Sequence, residues 1–177
     1  MTLNDYFEFH WKPGGIPGKD PEDYKYSGMT LLDRIGPNET VIDVGCGYNL
    51  FKPALGDRLL GIDPANNASD IRVSIEEFYP EKQYDVAFVL GSLNFGSEET
   101  IQYQCELLYK LVKPGGRVYW RQNPGEDDHE WEGSHTVDFY PWSFDKNNQH
   151  ATNSGFVYNT GLYDTKNRIF AIWTKPC

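Results

Sequence analysis

Cysteines and cationic side chains are scarce in this sequence, and long apolar runs are missing from it. Only three cysteines, Cys46, Cys105 and Cys177, occur in 177 residues, and they are scattered and odd in number. No disulfide or metal-binding spacing connects them, which fits a reducing compartment. No apolar stretch has the length of a membrane span, and the N-terminus lacks the apolar core of a signal peptide. We therefore expect a cytoplasmic protein with no membrane partner.

The shortage of positive charge also bears on the partners. Sixteen Lys and Arg residues stand against 26 Asp and Glu residues, giving a net charge of −10. Such a surface repels phosphate backbones, and no local basic patch offsets the repulsion. Nucleic acid is therefore not the expected partner. The length suits one domain with a substantial core, while the sequence does not indicate an oligomeric state.

Residues 1–20 are predicted to form an irregular, aromatic N-terminal arm. Pro and Gly punctuate this segment, and several aromatic side chains interrupt it, among them Tyr6 and Trp11. The arm either packs on the domain or folds over a ligand as a lid. Residues 21–177 are then assigned to a single domain.

The most informative stretch is the sequence VIDVGCGYN at residues 41–49. An apolar run of β-branched residues that ends in glycines is typical of a buried parallel strand breaking into a tight loop. Glycine lets such a loop turn sharply and leaves room for a ligand. The acid inside this strand, Asp43, needs a compensating interaction. It either fixes the backbone of its own glycine loop or faces a positively charged ligand.

Strands and helices are predicted to alternate along the rest of the chain. Strands are expected at residues 41–47, 58–63, 70–75, 84–90, 117–122, 156–163 and 167–174. Helices are expected at residues 21–35, 51–56, 98–112 and 141–154, with Ser97 as the N-cap of the third and a turn at residues 113–116. Only six residues, 64–69, link the second and third strands, too few for a crossover helix. The pattern predicts a three-layer α/β domain with a mostly parallel seven-stranded sheet, an antiparallel C-terminal hairpin and some crossover helices shortened or missing.

Ligands of such a sheet bind beyond the carboxyl ends of the strands, where the strand order reverses. Residues 45–49, Asp63, residues 74–76 and residues 90–92 are expected to converge there. An acid at the end of the second strand can accept hydrogen bonds from a ribose diol. We therefore expect a ligand that contains adenosine.

Charge separates the two adenosine cofactors that compete for this site. NAD requires G-x-G-x-x-G and a helix N-terminus for its pyrophosphate. Here Leu50 occupies the third glycine position, Pro53 shortens the next helix, and Asp43 lies under the loop. S-adenosylmethionine instead carries an ammonium and a sulfonium group, which acids and carbonyl oxygens favour. The charges indicate S-adenosylmethionine, with a nicotinamide-dependent oxidoreductase as a rival.

Five pieces of the chain, taken together, resemble a class I S-adenosylmethionine-dependent methyltransferase with its Rossmann-like fold. They are VIDVGCG at residues 41–47, LGID at 60–63, YDVAFVL at 84–90, residues 107–116 with KPGG, and GF at 155–156. They occur in the order of the family and at nearly its spacing. The resemblance implies an enzyme of the EC 2.1.1 type that transfers a methyl group from S-adenosylmethionine.

The same resemblance implies a set of cofactor-binding residues. Asp43 and the glycine loop would cradle the methionine part, and Asp63 would hold the ribose hydroxyls. Residues 74–75 would border the adenine, and residues 90–91 the sulfonium side. The full set is Asp43, Gly45, Cys46, Gly47, Tyr48, Asn49, Asp63, Pro64, Ser74, Ile75, Leu90 and Gly91. Asn49 stands where the family has a third glycine, and Asn also adopts left-handed backbone angles.

The methyl acceptor is expected to be a small molecule that is methylated on oxygen or nitrogen. The Asn/Asp-Pro-Pro-Tyr/Phe motif of enzymes that methylate amino groups of nucleic acids is absent after residue 90. Two alternatives stay open. One is a non-catalytic domain that binds S-adenosylmethionine or S-adenosylhomocysteine or serves as a scaffold, and the other is methylation of a protein side chain.

No catalytic residue is evident, because methyl transfer depends mainly on the alignment of the acceptor. His129 and His135 are candidates for a general base, and Asn94 and Arg121 for orienting a substrate. The acidic segment 126–135 is either a metal site or, as we prefer, a solvated loop, so no metal is predicted. His10 and His150 are expected on the surface. Aromatic side chains are expected to flank the pocket or to pack in the core, namely Tyr6, Trp11, Trp120, Trp131, Tyr140 and Trp142.

Overall fold

The computed structural model describes residues 28–124, 139–163 and 167–177. Within them, one sheet contains six strands: β1 (Val41–Val44), β2 (Leu59–Ile62), β3 (Tyr84–Leu90), β4 (Val112–Gln122), β5 (Val157–Tyr163) and β6 (Ile169–Thr174). Their order across the sheet is β2-β1-β3-β4-β6-β5. The first four strands are parallel, and β6 is antiparallel to both β4 and β5. The predicted α/β fold with an antiparallel C-terminal hairpin is confirmed.

Helices cover both faces of this sheet in the part of the chain that the structure describes. They are α1 (Lys52–Leu55), α2 (Glu98–Leu111), α3 (Phe144–Asn153) and the 3₁₀ helices Gly28–Arg34 and Gly56–Arg58. On one face, Ile101 and Leu108 of α2 and Ala151 of α3 pack in the larger core cluster. On the other face, Leu31 and Leu55 close a smaller cluster. Because both faces are covered, the central strands β1 and β3 are buried almost without alternation, as parallel strands in the interior of a sheet usually are.

The local signals in the sequence place most element boundaries within a few residues. Ser97 caps α2 as predicted, since its Oγ accepts a hydrogen bond from the Thr100 N–H at 3.3 Å. Ser143 caps α3 in the same way, so this helix begins later than residue 141. Of the predicted helix at residues 21–35, the described part is a 3₁₀ helix. The predicted turn at residues 113–116 lies within β4, at an irregularity in its pairing with β3.

The strand predicted at residues 70–75 is wrong, so the sheet in the described residues has six strands and not seven, whereas the missing crossover helix is confirmed. Residues 63–83 contain no helix and only one bridge, between Ile62 and Ile71. Asp70 takes the place of a neighbouring strand. Its carboxylate accepts the Gly61 N–H at 2.8 Å, and its own N–H donates to the Gly61 carbonyl at 2.9 Å. Asp70 therefore satisfies both backbone groups of Gly61 at the open edge of β2, one with its side chain and one with its backbone, without a full strand.

Asp70→Ala is expected to lower the free energy of unfolding by about 2–3 kcal/mol, because it leaves the buried Gly61 N–H without an acceptor. The change also removes an ion pair of 2.9 Å with Lys52 Nζ. Urea unfolding measures the effect, with Asp57→Ala as the control because Asp57 is exposed on the Gly56–Arg58 helix. Equal stability of the two variants would show that the Asp70 side chain does not replace the missing strand.

No helix among the described residues is long and apolar enough to cross a membrane. The predicted N-terminal arm, residues 1–20, lies outside the described residues, as does the acidic segment 126–135. The division of the chain into an arm and one domain therefore stays a prediction.

Candidate active site

A cavity of about 700 Å³ opens at the carboxyl ends of the parallel strands. The chain passes from β1 outward to β2 and then returns to β3 on the other side of β1, so the strand order reverses between β1 and β3. Ligand sites of open α/β sheets lie at such a reversal. Nine of the twelve predicted cofactor-binding residues line this cavity: Gly45, Gly47, Tyr48, Asp63, Pro64, Ser74, Ile75, Leu90 and Gly91.

The loop after β1 folds back on the sheet at the floor of the cavity. Gly45 has φ of +70°, in the left-handed region that favours glycine. The Gly45 and Cys46 N–H groups both donate to the Ile62 carbonyl, at 2.8 and 3.1 Å. A Cβ atom added to Gly45 would lie only 2.2 Å from Cβ of Ser92, in the loop after β3. Glycine is therefore required at this position by backbone angle and by space.

Asp63 fixes the loop on the β2 side of the cavity. Its Oδ2 accepts the Gly47 N–H at 3.0 Å, and its Oδ1 accepts the N–H groups of Ala65 and Asn66 at 2.9 and 2.8 Å. A carboxylate oxygen accepts about two hydrogen bonds. Oδ1 is thus fully used, whereas Oδ2 retains capacity for one more donor at the wall of the cavity.

Asp43 lies beneath the glycine loop and does not line the cavity. Its exposed fraction is 3%, and its carboxyl makes no hydrogen bond within the described residues, so it does not fix the loop as one interpretation of the sequence required. Burial and, second, the negative charge of Asp63 raise the pKa of Asp43 to about 7. The carboxyl consequently changes its charge near neutral pH, close to the cavity floor.

Cys46 and Asn49, both predicted to bind the cofactor, also lie outside the cavity lining. Burial, followed by the carboxylate of Asp43, raises the pKa of the Cys46 thiol. Asn49 has the left-handed φ of +54° that its place in the motif implies. Its Nδ2 donates to the Ala68 carbonyl at 3.2 Å and to Asp70 Oδ2 at 3.3 Å. In this structure Asn49 joins the glycine loop to the segment that replaces the missing strand.

Gln104 is a cavity residue that the sequence analysis missed. It lies on α2 three residues after Ile101, on a face that is otherwise apolar. Its Nε2 donates to Glu76 Oε1 at 2.5 Å, and both side chains line the cavity beside Ser74 and Ile75. One polar residue on the buried face of a predicted helix was the available signal. Ser92, which belongs to the stretch 90–92 expected at this edge, also lines the cavity, and its Oγ is buried without a partner in the described part of the chain.

Of the four catalytic candidates, the two that the structure describes, Asn94 and Arg121, do not line the cavity. His129 and His135 lie outside the described residues. Asn94 is buried, and its backbone carbonyl accepts the Tyr140 N–H at 2.8 Å. Arg121 is also buried and donates from Nη2 to the Leu90 carbonyl at 3.2 Å, at the end of β3. Asn94 and Arg121 therefore stand behind the cavity wall.

The aromatic side chains in the described part of this set belong to the core. Trp120 and Trp142 are fully buried and pack edge to face, and Tyr140 packs on Trp142. The expectation that His150 is a surface residue is wrong: it is 1% exposed and bonded to the Tyr140 hydroxyl at 2.8 Å. Burial lowers the pKa of His150 despite the nearby Glu98. Tyr6, His10, Trp11 and Trp131 lie outside the described residues.

The charge of the cavity lining has one sign. Asp63 and Glu76 are the ionisable acids in the lining, and no Lys or Arg belongs to it among the residues described. No cluster of three or more His, Cys, Asp or Glu side chains that could hold a metal ion occurs in the same residues. The site therefore suits a ligand with positive charge and hydrogen-bond donors, not one with phosphate groups.

No protein-family model matches the chain, and no curated protein matches its sequence. Its fold matches solved structures. A Burkholderia thailandensis 1,6-didemethyltoxoflavin-N1-methyltransferase, solved with 1,6-didemethyltoxoflavin and S-adenosylhomocysteine, has a TM-score of 0.78 at 14% identity, over 99% of this chain and 88% of its own. The N-methyltransferase NodS from Bradyrhizobium japonicum, solved with S-adenosylhomocysteine, has a TM-score of 0.69 at 14% identity, over 98% of both chains.

A third match comes from the complex between the Haloferax volcanii Trm112 methyltransferase activator and a methyltransferase, with a TM-score of 0.75 at 16% identity, over 99% of this chain and 98% of that one. These similarities extend over nearly the whole chain and agree with the strand order and the position of the cavity. The chain has the fold of the class I S-adenosylmethionine-dependent methyltransferases.

Proposed function

We propose that this protein is an S-adenosylmethionine-dependent methyltransferase that methylates a small molecule on oxygen or nitrogen. The observation that carries the proposal is the cavity at the strand reversal, which acids line and from which cationic side chains are absent in the described residues. S-adenosylmethionine brings an ammonium, a sulfonium, a ribose diol and an adenine amino group. Such a ligand supplies positive charge and donors where the site supplies acceptors.

The residues in the cavity fit the parts of this cofactor. Oδ2 of Asp63 keeps capacity for one hydroxyl of the ribose, and residues 74–75 offer a border for the adenine. Gly45 allows the loop after β3 to approach the glycine loop closely at Ser92, which brings both loops to the cavity. Asp43, below the floor, would favour the cationic methionine part once it is ionised. Leu90 and Gly91 stand at the end of β3 on the expected sulfonium side.

The bound cofactor would supply an activated methyl group, and the chain would hold and align the two reactants. Alignment alone contributes much of the rate in displacement reactions, so this chemistry does not require a dedicated catalytic base. A general base from His129 or His135 stays a proposal. Asn94 and Arg121 are better suited to supporting the loops after β3 and β4 than to contacting a substrate.

The pyrophosphate of a dinucleotide would fit less well. Anionic phosphates bind where the N–H groups of a helix N-terminus or cationic side chains are available. Here the helix after the glycine loop is α1, which has only four residues, and no Lys or Arg lines the described cavity. A nicotinamide-dependent oxidoreductase is therefore the weaker proposal.

A small acceptor is the choice that two of the similar structures support. One is named for the N1-methylation of 1,6-didemethyltoxoflavin, and the other is an N-methyltransferase. The net charge of −10 also disfavours nucleic acids. A basic protein as the acceptor is the alternative, since an acidic surface would attract it. We further propose a cytoplasmic location, in line with the composition of the sequence.

A non-catalytic binding or scaffold domain is the second candidate function. The specific observation in its favour is that residues 63–83 lack the crossover helix. Because the cavity persists without that helix, we place catalysis first. Methyl transfer from labelled S-adenosylmethionine to extracts of small metabolites, compared with basic proteins, separates these alternatives: binding with no transfer to either would favour the scaffold.

Titration calorimetry tests the proposal directly. We expect S-adenosylmethionine and S-adenosylhomocysteine to bind with a dissociation constant in the micromolar range, corresponding to about −8 kcal/mol, and NAD to give no heat. The matched control is NADH, which carries the same adenosine on a pyrophosphate. Binding of the nicotinamide cofactors with no binding of the methyl donor would overturn the proposal.

A further inference from the structure

Gln104 is a buried polar residue with half of its amide unused. Its exposed fraction is 9%, and its Oε1 has no hydrogen-bond partner within the described part of the chain. Buried polar groups in native proteins are nearly always paired, and an unpaired acceptor costs free energy. Because Gln104 lines the cavity, the missing donor is most simply a ligand group.

Glu76 decides which half of the amide is unused. A carboxylate only accepts hydrogen bonds, so the Glu76 oxygen must face the NH₂ group of Gln104. The carbonyl oxygen of Gln104 is thereby left as the acceptor. Glu76 follows Ser74 and Ile75 in the chain, and all three residues line the cavity together with Gln104.

The chemistry of adenine identifies the donor. The ring nitrogens N1, N3 and N7 of adenine are acceptors, and its 6-amino group is the only donor on the base once the ribose is attached. An acceptor at the adenine end of the cavity can therefore pair with that amino group alone. We propose that Gln104 selects adenine by accepting a hydrogen bond from the 6-amino group, and that Glu76 is the positioning residue that holds the amide in the required orientation. The inference rests on the proposed function, because it requires an adenosine cofactor.

A thermodynamic cycle tests the inference by changing the Gln104 side chain and the 6-amino group of the ligand, separately and together. The ligands are S-adenosylhomocysteine and its 6-deamino analogue, in which purine riboside replaces adenosine. The proteins are the wild type and Gln104→Met, which keeps the length of the side chain but removes the amide. Calorimetry gives the four dissociation constants, and the cycle isolates the contact between Gln104 and the amino group.

We expect the wild type to bind the deamino analogue about 10- to 100-fold more weakly than S-adenosylhomocysteine, the loss associated with one buried hydrogen bond. Gln104→Met should bind both ligands with nearly the same affinity, at the level of the wild type with the analogue. The ligand comparison on the wild type needs no variant to fold. Thermal unfolding of the variant shows whether its loss of affinity has another cause.

Glu76→Gln tests the positioning role separately. Without the carboxylate, the Gln104 amide can turn its NH₂ group toward the cavity, so the preference for the amino group should fall to about a few-fold. Glu106→Gln on the exposed side of α2 is the control, because it removes the same charge away from the cavity and should keep the wild-type preference.

The results separate the inference from the proposed function. A wild type that binds S-adenosylhomocysteine and the deamino analogue equally well would overturn the role of Gln104 and leave the methyltransferase proposal intact. A preference that persists in Gln104→Met would do the same and would assign the amino group to another acceptor. If the wild type bound neither ligand, the proposed function and the inference would both fall.

Discussion

Gly45→Ala is expected to lower the affinity for S-adenosylhomocysteine by more than about 100-fold and to destabilise the protein by about 2–5 kcal/mol. Alanine at the left-handed φ of +70° costs roughly 1–2 kcal/mol. The new methyl group would lie 2.2 Å from Cβ of Ser92, far inside contact distance, and such overpacking costs typically about 1–3 kcal/mol. The loops after β1 and β3 would have to separate, and both form the cavity. Calorimetry and urea unfolding measure the two effects.

Two further variants show which cause dominates. Gly56→Ala also places alanine at a positive φ, but no atom lies within 4 Å of the new Cβ. We expect it to cost roughly 1–3 kcal/mol of stability and to leave the affinity unchanged. Ser92→Gly removes the atoms that the Gly45→Ala methyl group meets. Adding it to Gly45→Ala should therefore restore part of the affinity.

Full affinity in Gly45→Ala would show that the loop does not need its close approach to Ser92. A double variant no better than Gly45→Ala would attribute the whole effect to the backbone angle.

Asp43→Asn is expected to stabilise the ligand-free protein while weakening cofactor binding. The pKa of Asp43 is about 7 in the folded protein, against 3.8 for the ordinary carboxyl. Between these values the unfolded chain has lost the proton that the folded protein still holds, so the stability of the wild type falls as the pH rises from about 4 to 7. Above pH 7 the ionised Asp43 carboxyl destabilises the folded protein by its full cost, up to about 4 kcal/mol.

The neutral amide avoids this cost at every pH. The advantage of Asp43→Asn in the free energy of unfolding should therefore grow by about 2–3 kcal/mol between pH 5 and pH 8.5 and then stay constant. Urea unfolding at several pH values measures it. Asp57→Asn makes the same chemical change at an exposed position and should show no such trend.

The affinity for the cofactor should change with pH in the opposite direction to the stability of the ligand-free protein. A cationic ligand favours the ionised carboxyl, so the affinity of the wild type for S-adenosylmethionine should rise with pH through about 7. In Asp43→Asn the affinity should be about tenfold lower at pH 8 and independent of pH across this range. A variant that is less stable than the wild type at pH 8.5 would contradict the buried-charge explanation, and equal affinity would remove Asp43 from the cofactor site.

The sequence predicts the parallel part of the sheet well because its signals are local. The apolar run before Gly45 and the N-cap at Ser97 depend on neighbours within a few residues, and the structure has both features. The cavity residues 45, 47, 63, 74–75 and 90–91 follow from the same logic, since strand ends of a parallel sheet meet at one edge. Their roles toward the cofactor stay predictions.

Contacts between distant segments are what the sequence could not reveal. Nothing near Asp70 indicates that its carboxylate would satisfy Gly61 and replace a strand. The pairing of Gln104 with Glu76 joins residues 28 positions apart. Tryptophan occurs both at the rims of pockets and in protein cores, so the sequence does not assign Trp120 and Trp142 to either place. Only their burial shows that they belong to the core.

The first part of the segment 63–83, residues 63–72, makes several polar contacts within itself. Asp63 binds Ala65 and Asn66, and Arg72 reaches back to Pro64 and Asn67. The segment meets the sheet through the hydrogen bonds of Asp70 and Ile71 to Gly61, and through Ile75, which is buried in the larger core cluster. Pro64, Ala65, Asn66 and Asn67, which form one wall of the cavity, are exposed or half-buried, so substitutions at these four positions can alter that wall while the buried strands keep their packing.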